Sequence, residues 1–385
     1  MDSNEDSALI EAATYPIPED ELFDAAKTML EALRETAKPP LTTNRSPAPR
    51  PSFASASSLA PSSNSTLTAT DSSASADAGT SGDAASMTSS VREHVFEGGL
   101  RYHAYRAGKY AFPNDEAEQI RDDLKHANSL LLSGGKYFFS PVEDALEAGG
   151  EVLDLGTGTG IWAVELGDKY PKTKITGIDL SPIQPTLVPE NVHFFVDDFE
   201  EEWIDPEDKY DLIHLRNTLH SVKDPQALLE RAIRHLKPGG YFEASDICFI
   251  PRSDDGTLTP STPYALRDFI SYIAAGVRAL GSDVYAVLAL PDAMRGAGFA
   301  DVRRATLKLP LGPWPRDPRL RCCGLLTRTV MMEGLRGVSA RPLAALGWTP
   351  LQIEMFLVDV RKALMDESVH VYFELHVVYG KKPER

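Results

Sequence analysis

The feature that most constrains the fold is a strand that runs directly into three glycines. Residues 151–161 read Glu-Val-Leu-Asp-Leu-Gly-Thr-Gly-Thr-Gly-Ile, so an apolar run meets glycines at alternate positions 156, 158 and 160 before a helical pattern begins. Glycine lets the backbone turn tightly and approach a ligand closely. The segment therefore predicts a strand-to-helix turn beside a ligand site in an α/β fold.

The spacing of the three glycines restricts the class of ligand that the turn can bind. A NAD-binding turn carries Gly-x-Gly-x-x-Gly, whereas here position 161 is Ile and the third glycine comes one residue early. No Gly-Lys-Ser/Thr follows, which excludes a P-loop. The turn thus favours a ligand without a pyrophosphate.

Short β-branched runs alternate with helical stretches along the chain, which is typical of a parallel sheet with helices on both faces. Strands are predicted at 151–155, 174–179, 192–196, 211–215 and 239–246, and 301–309 and 369–379 form an antiparallel pair. Ahead of them, 115–132 reads as a helix with Asp115 as N-cap and Glu118 completing a capping box.

Acids follow the second and third predicted strands. Asp179 ends 174–179, where a carboxylate accepts hydrogen bonds from ribose hydroxyls in this topology. Asp197 and Asp198 end 192–196, placed to accept from an adenine amine. A single Asp reads equally well as a turn or cap residue. The series after the glycine turn predicts a pocket for an adenosine that carries no phosphate.

These segments resemble the ordered motifs of class I S-adenosylmethionine-dependent methyltransferases: Asp154 to Gly160, Asp179, Asp198, Tyr210 to His214 and Leu236 to Gly240. The chain is more closely similar to the LaeA-like (UMTA-type) fungal methyltransferases. That resemblance covers about residues 95–385 and is carried by 102–105, 113–116, 158–162, 179–185, 213–216, 346–348, Arg361 and 378–383.

The resemblance implies a Rossmann-like fold, a mostly parallel seven-stranded sheet with an antiparallel last strand, and S-adenosylmethionine as cofactor. It implies that Asp179 binds the ribose, that Asp198 or else Asp197 meets the adenine, and that Asp154 holds the turn. The remaining predicted cofactor-binding residues are Gly156, Thr157, Gly158, Gly160, Leu180, Tyr102, Tyr110 and Arg216.

The two tyrosines belong to an aromatic and basic stretch at 101–110. One interpretation is a lid that brings a tyrosine ring close to the sulfonium as a cation–π partner. The other is an N-terminal arm that packs on the sheet.

Methyl transfer to a hydroxyl or an amine gains from a general base. His220, just past the fourth strand, is the candidate, with a capping or packing histidine as the alternative. The Asn/Asp-Pro-Pro-Tyr motif of amino-group nucleic-acid methyltransferases is absent from the sequence, and no His/Cys cluster has zinc spacing, so no metal site is predicted.

Residues 1–90 form an acidic Ser/Ala/Pro-rich tail. Between 51 and 90 there are 19 Ser or Thr, 9 Ala and no Lys or Arg, a composition that predicts disorder. Within the tail, 19–38 reads as a helix that either docks on a partner or on the body of the protein, or forms only transiently. The methyltransferase domain is predicted at 91–385, with a lid at 95–140, a cofactor half at about 150–246 and a substrate-cap insert at about 250–300.

The net charge of the chain limits the kinds of partner that it can bind. There are 39 Lys+Arg against 56 Asp+Glu, a net charge of -17, which argues against sequence-independent nucleic-acid binding and against an anionic membrane surface. No signal peptide or membrane-spanning run is apparent, and three cysteines, two of them adjacent, favour a reducing compartment. The sequence predicts a cytoplasmic protein, with the nucleus left open.

Two functions remain. The first is a methyltransferase for a small molecule or peptide, a tailoring step in fungal secondary metabolism. The alternative is a LaeA-like nuclear regulator that uses the same fold with protein partners.

Overall fold

The computed structural model describes residues 93–384 of the chain, so the predicted tail and its helix at 19–38 lie outside the described residues. The strands are β1 His94–Glu97, β2 Leu100–His103, β3 Glu151–Leu155, β4 Lys174–Asp179, β5 Val192–Val196, β6 Tyr210–Arg216, β7 Leu236–Arg252, β8 Ala300–Leu311 and β9 Val371–Lys381. The helices are α1 Glu116–Ser133, α2 Glu143–Glu147, α3 Ile161–Lys169, α4 Pro225–His235, α5 Ala265–Ala279, α6 Ala286–Gly296, α7 Pro318–Ala345 and α8 Pro350–Met365, with a 3₁₀ turn at Leu219–Ser221.

The central sheet has seven strands in the order β5-β4-β3-β6-β7-β9-β8. Strands β3 to β7 are parallel to one another, and β9 is antiparallel to both β7 and β8. This confirms the mostly parallel sheet with an antiparallel last strand. The order reverses at β3, which lies between β4 and β6, so the crevice at the carboxyl end of β3 is where this topology places a ligand.

Most predicted strands have the bounds expected from the sequence, but β7 is longer than 239–246. It begins at Leu236, which pairs with Tyr210, and continues to Arg252, which pairs with Tyr372 of β9. The extension at the carboxyl end arises because β9 continues the hydrogen-bond ladder beyond the end of β6. Such pairing between distant segments leaves no local signal in the sequence.

The predicted capping box of α1 is only half formed. Asp115 Oδ1 accepts a hydrogen bond from the Glu118 backbone N–H at 3.1 Å, as a cap requires. The Glu118 carboxylate, however, accepts from Arg121 Nε at 2.8 Å instead of reaching back to the cap. Both side chains are largely buried, so the ion pair takes the place of the second capping bond.

A helical layer covers the β7-β9-β8 side of the sheet. Helices α5, α7 and α8 pack on one another. Their apolar side chains join those of the sheet in one core that includes Leu266, Phe269, Leu335, Leu357 and Phe373. The predicted cap insert at 250–300 holds α5 and α6, whereas α7 and α8 come from later in the chain. Within residues 93–384, no helix is both long and apolar enough to cross a membrane.

Candidate cofactor and acceptor site

A cleft of about 1140 Å³ opens at the carboxyl ends of β3, β4, β5 and β6. Nine of the residues predicted for the cofactor line it: Asp154, Gly156, Thr157, Gly158, Asp179, Leu180, Asp198, Tyr110 and Arg216. The lining does not include Gly160, Asp197 or Tyr102. The sheet therefore gathers most of the predicted set at one place.

The glycine turn forms the floor of this cleft. Gly158 has φ +59°, and a Cβ there would meet Asp122 Oδ2 at 3.7 Å, an ordinary contact distance, so the positive φ and not crowding favours glycine. Asp154 holds the turn from below, because its Oδ2 accepts from Thr157 Oγ1 at 2.6 Å and its Oδ1 lies 2.8 Å from His214 Nδ1. The His214 ring in turn stacks on Trp162, with 3.7 Å between ring centroids.

Asp179 joins the turn to the end of β4. Its Oδ2 accepts from the Gly158 N–H at 2.9 Å and its Oδ1 from the Ser181 N–H at 2.8 Å. Burial raises the pKa of this carboxyl to about 6, against the hydrogen bonds from Ser181 and Gly158, which act in the opposite direction. Each carboxylate oxygen retains a lone pair for a further donor, such as a ribose hydroxyl.

The two acids after β5 point to different places. Asp198 is buried, and its Oδ2 lies 3.0 Å from Lys109 Nζ. Asp197 is exposed at the rim, where its Oδ1 accepts from the Asp198 N–H at 2.8 Å and is 3.4 Å from the Tyr105 hydroxyl. Of the two, only Asp198 lines the cleft.

Tyr102 and Gly160, the other two predicted residues outside the cleft, are packed against neighbouring side chains. Tyr102 on β2 is 1% exposed, and the guanidinium carbon of Arg341 on α7 lies 3.6 Å from its ring centroid. This contact corresponds to the packing-arm interpretation, whereas Tyr110 from the same stretch lines the cleft. Gly160 is the N-cap residue before α3, with φ +81°, and a Cβ there would lie 2.4 Å from Phe194 Cζ.

Helix α1 contributes side chains to the cleft that were not predicted from the sequence. Glu118, Asp122 and Lys125 line the cleft, and Asp122 pairs with Lys125. They are spaced four and three residues apart and therefore share one face of α1. This spacing is the feature of the sequence that could have predicted that they lie together. Lys109 also lines the cleft, but nothing in the sequence linked it to Asp198.

A second cavity of about 1110 Å³ adjoins the cleft and shares Tyr110, Lys125 and Asn217 with it. Most of its wall is apolar and comes from α5, α7 and the end of β7, including Phe112, Phe249, Phe269, Ile273, Met331 and Leu335. His220, the predicted base, lines this cavity and not the cleft. No group of His, Cys, Asp and Glu with metal-binding geometry is found in the described part of the chain.

Comparison with known proteins identifies the family. A family described as a methyltransferase domain matches residues 122–304. Methyltransferase pytC of Aspergillus terreus is 37% identical over 306 residues, which cover 79% of this chain and 93% of that protein. This chain belongs to the LaeA-like family of fungal methyltransferases. It is an S-adenosylmethionine-dependent methyltransferase, as the family implies.

Two further relatives are named as a regulator of secondary metabolism and as a protein-methionine methyltransferase. The secondary metabolism regulator LAE1 of Cochliobolus heterostrophus is 32% identical, covering 76% of this chain and 96% of that protein. The protein-methionine methyltransferase laeA of Emericella nidulans is 34% identical, covering 78% and 79%. A solved structure of Haemonchus contortus phosphoethanolamine N-methyltransferase 2 with S-adenosylmethionine is 16% identical, covers 78% of this chain and 74% of its own, and has a TM-score of 0.38.

The cleft of this LaeA-like methyltransferase suits the family's cofactor. The glycine turn lines the cleft, and carboxylates stand at the ends of β4 and β5, where hydroxyl and amine donors of an adenosine are expected. When bound, S-adenosylmethionine supplies a methyl group already activated by its sulfonium. The protein's own contribution is to hold that group and to align an acceptor with it.

Proposed function

We propose that this LaeA-like methyltransferase methylates a small molecule with an apolar body, bound in the cavity beside the cofactor cleft. The observation that carries the proposal is the cavity itself, which has largely apolar walls and shares Tyr110, Lys125 and Asn217 with the cleft. Ligand pockets for small molecules have this character, apolar with a few convergent polar groups. An acceptor seated there meets the cofactor at the shared residues.

We propose His220 as the general base. Its Nδ1 lies 3.1 Å from Asp246 Oδ2, and its backbone N–H donates to the same oxygen at 3.2 Å. Asp246 is buried, so it fixes the imidazole ring and the tautomer with Nδ1 protonated. Nε2 then remains to accept a proton from a hydroxyl or an amine of the acceptor.

The surroundings of His220 support this orientation. The ring lies 5.7 Å from that of Phe112, centroid to centroid, on the apolar wall of the cavity. It lies in the 3₁₀ turn after β6, and the shared residue Asn217 lines the same cavity. Removing a proton from the nucleophile raises the electron density on the attacking atom, and a positioned base contributes about 10²–10⁴-fold in rate.

The test uses the purified protein, S-adenosylmethionine with an isotope-labelled methyl group, and a metabolite extract of the source fungus with the gene deleted. The expected result is label in a small organic molecule, lost in His220→Ala while S-adenosylhomocysteine binding is retained. His193→Ala is the matched control, because His193 is exposed on β5. Label found only in protein, or full transfer by His220→Ala, would contradict the proposal.

The second candidate is a regulator of secondary metabolism that acts through protein partners. Its support is the identity of 32–34% to relatives named LAE1 and laeA. Metabolite profiling of a deletion strain separates the two. Loss of one compound with accumulation of its desmethyl precursor supports the tailoring enzyme, whereas loss of many unrelated compounds supports the regulator.

A further inference from the structure

Arg216, at the end of β6, holds a positive charge inside the cofactor cleft without a carboxylate partner. The residue lines the cleft, and no Asp or Glu oxygen of the described residues lies within 4.0 Å of its guanidinium. Its guanidinium donates a hydrogen bond from Nη2 to His126 Nδ1 at 2.7 Å. A guanidinium has five N–H donors, so most of its capacity is unused.

The nearby acids are engaged elsewhere. Asp154 accepts a hydrogen bond from Thr157 Oγ1 through one oxygen, and its other oxygen lies 2.8 Å from His214 Nδ1. Asp122 pairs with Lys125. Asp154, Asp122 and Glu165 favour the charged guanidinium, but burial outweighs them and lowers the pKa of Arg216, so an anion that enters the cleft would stabilise the charge further.

His126 fixes the guanidinium from behind. Because Arg216 donates to Nδ1, the ring is neutral with its proton on Nε2, which lies 2.8 Å from Glu165 Oε2. The same Glu165 oxygen accepts from the Tyr137 hydroxyl at 3.1 Å. Burial, together with the charge of Arg216, lowers the pKa of His126 to about 4, which keeps the ring neutral near pH 7.

This chain of hydrogen bonds joins three elements. His126 lies on α1, Glu165 on α3 and Arg216 at the end of β6. Glu165 receives the His126 N–H, and this leaves the His126 Nδ1 lone pair directed at the guanidinium. The arginine is therefore held in one orientation before any ligand arrives, which reduces the entropy lost on binding.

We propose that Arg216 binds the carboxylate of the methionine moiety of the cofactor, and that His126 is the positioning residue that holds the guanidinium for it. The carboxylate is the only anionic group of S-adenosylmethionine. The inference rests on the cleft as the cofactor site and is independent of the proposed acceptor and of His220. A guanidinium and a carboxylate form a paired, charge-assisted contact that an amine or amide does not reproduce.

The test is calorimetric binding of two matched ligands, S-adenosylhomocysteine and its decarboxylated analogue, which lacks only the carboxylate. Wild-type protein should bind S-adenosylhomocysteine about tenfold to hundredfold more tightly, the range expected for a hydrogen bond to a charged group. Equal affinity for the two ligands overturns the proposal without any variant. Failure of both ligands to bind would instead remove the cleft as the cofactor site.

Two variants test whether Arg216 causes the difference in affinity between the two ligands. Arg216→Gln should weaken S-adenosylhomocysteine by about tenfold or more and leave the analogue nearly unchanged, which removes the discrimination. Lys109→Gln is the matched control, because Lys109 faces Asp198 at another part of the cleft and should affect both ligands equally. Loss of discrimination in the Lys109 variant, or full discrimination in Arg216→Gln, contradicts the assignment.

His126 is tested by rescue. His126→Leu removes the acceptor for Arg216 and the donor to Glu165, and should reduce the discrimination between the ligands. His126→Gln supplies an amide oxygen and an amide N–H and should restore most of it. A purely structural role predicts instead that both variants lower the melting temperature and leave the ratio of the two affinities unchanged.

Discussion

The backbone N–H of Gly158 donates a hydrogen bond to Asp179 Oδ2 across 2.9 Å, which ties the glycine turn after β3 to the end of β4. The same carboxylate accepts from Ser181 N–H through its other oxygen. One side chain therefore shapes the turn and also faces the cleft, where a ribose hydroxyl is expected to donate to it. Changes at Asp179 test both roles.

Asp179→Ala should weaken S-adenosylhomocysteine binding by about 1–3 kcal/mol, because the ribose hydroxyls lose a charged acceptor and the Gly158 N–H loses its partner. Isothermal titration calorimetry measures the effect. Asp168→Ala is the control, since Asp168 is exposed on α3 and does not line the cleft. Unchanged affinity in Asp179→Ala would remove this residue from the site.

The pH dependence of cofactor binding should follow Asp179. Burial raises its pKa to about 6, and the ionised form is the better acceptor for a hydroxyl, so affinity should rise between about pH 5 and 7 and level off above. Titrations of wild-type protein at several pH values measure the curve. Asp179→Asn should flatten it, and a wild-type affinity that stays constant across this range contradicts the assignment.

The same carboxyl should also affect folding stability. Its folded pKa of about 6 exceeds the ordinary value of 3.8, so the folded state binds the proton more tightly than the unfolded chain. The contribution therefore favours folding below about pH 4 and is lost as the pH rises to about 6. Comparing the melting temperatures of wild type and Asp179→Asn across that window isolates it, and parallel curves would show no contribution.

Gly160→Ala should lower the free energy of unfolding by about 1–3 kcal/mol, because the added methyl meets the Phe194 ring and the backbone has φ +81°. Chemical denaturation measures the change. Gly296→Ala is the matched control: it ends α6, is exposed and has nothing within 4 Å, so it should be neutral or stabilising by up to about 1 kcal/mol. A neutral Gly160→Ala would show that Phe194 yields easily.

Tyr102→Ala should destabilise the fold by about 3–5 kcal/mol, the cost of removing a buried aromatic ring. The affinity of the remaining folded protein for S-adenosylhomocysteine should not change, since Tyr102 lies under Arg341 and outside the cleft. Tyr102→Phe keeps the ring and should resemble wild type in both measurements. A selective loss of cofactor affinity in Tyr102→Ala would favour the lid interpretation instead.

The strand-to-helix turn and the acid after β4 were predictable because their signals are local. A run of apolar residues, a glycine with positive φ and a carboxylate at a strand end occupy neighbouring positions in the sequence. The family motifs added a mostly parallel seven-stranded sheet with an antiparallel last strand. Nine predicted residues accordingly lie around one cleft.

The partners of those residues were not predictable in the same way. Lys109 meets Asp198 and His126 meets Arg216 only because the segment ahead of β3 folds back over the sheet. These contacts join residues about 90 positions apart in the sequence, and the same residue types occur elsewhere as ordinary surface charges.

The sequence by itself determined the sheet, the glycine turn and the family, since each depends on residues that are adjacent or follow a short period. The tertiary structure decided that Tyr102 packs under Arg341, that His220 faces an apolar cavity with Asp246 behind it, and that Arg216 in the cleft is held by His126. The physical reason is that burial and charge pairing depend on which distant segments meet, and only the folded chain brings them together.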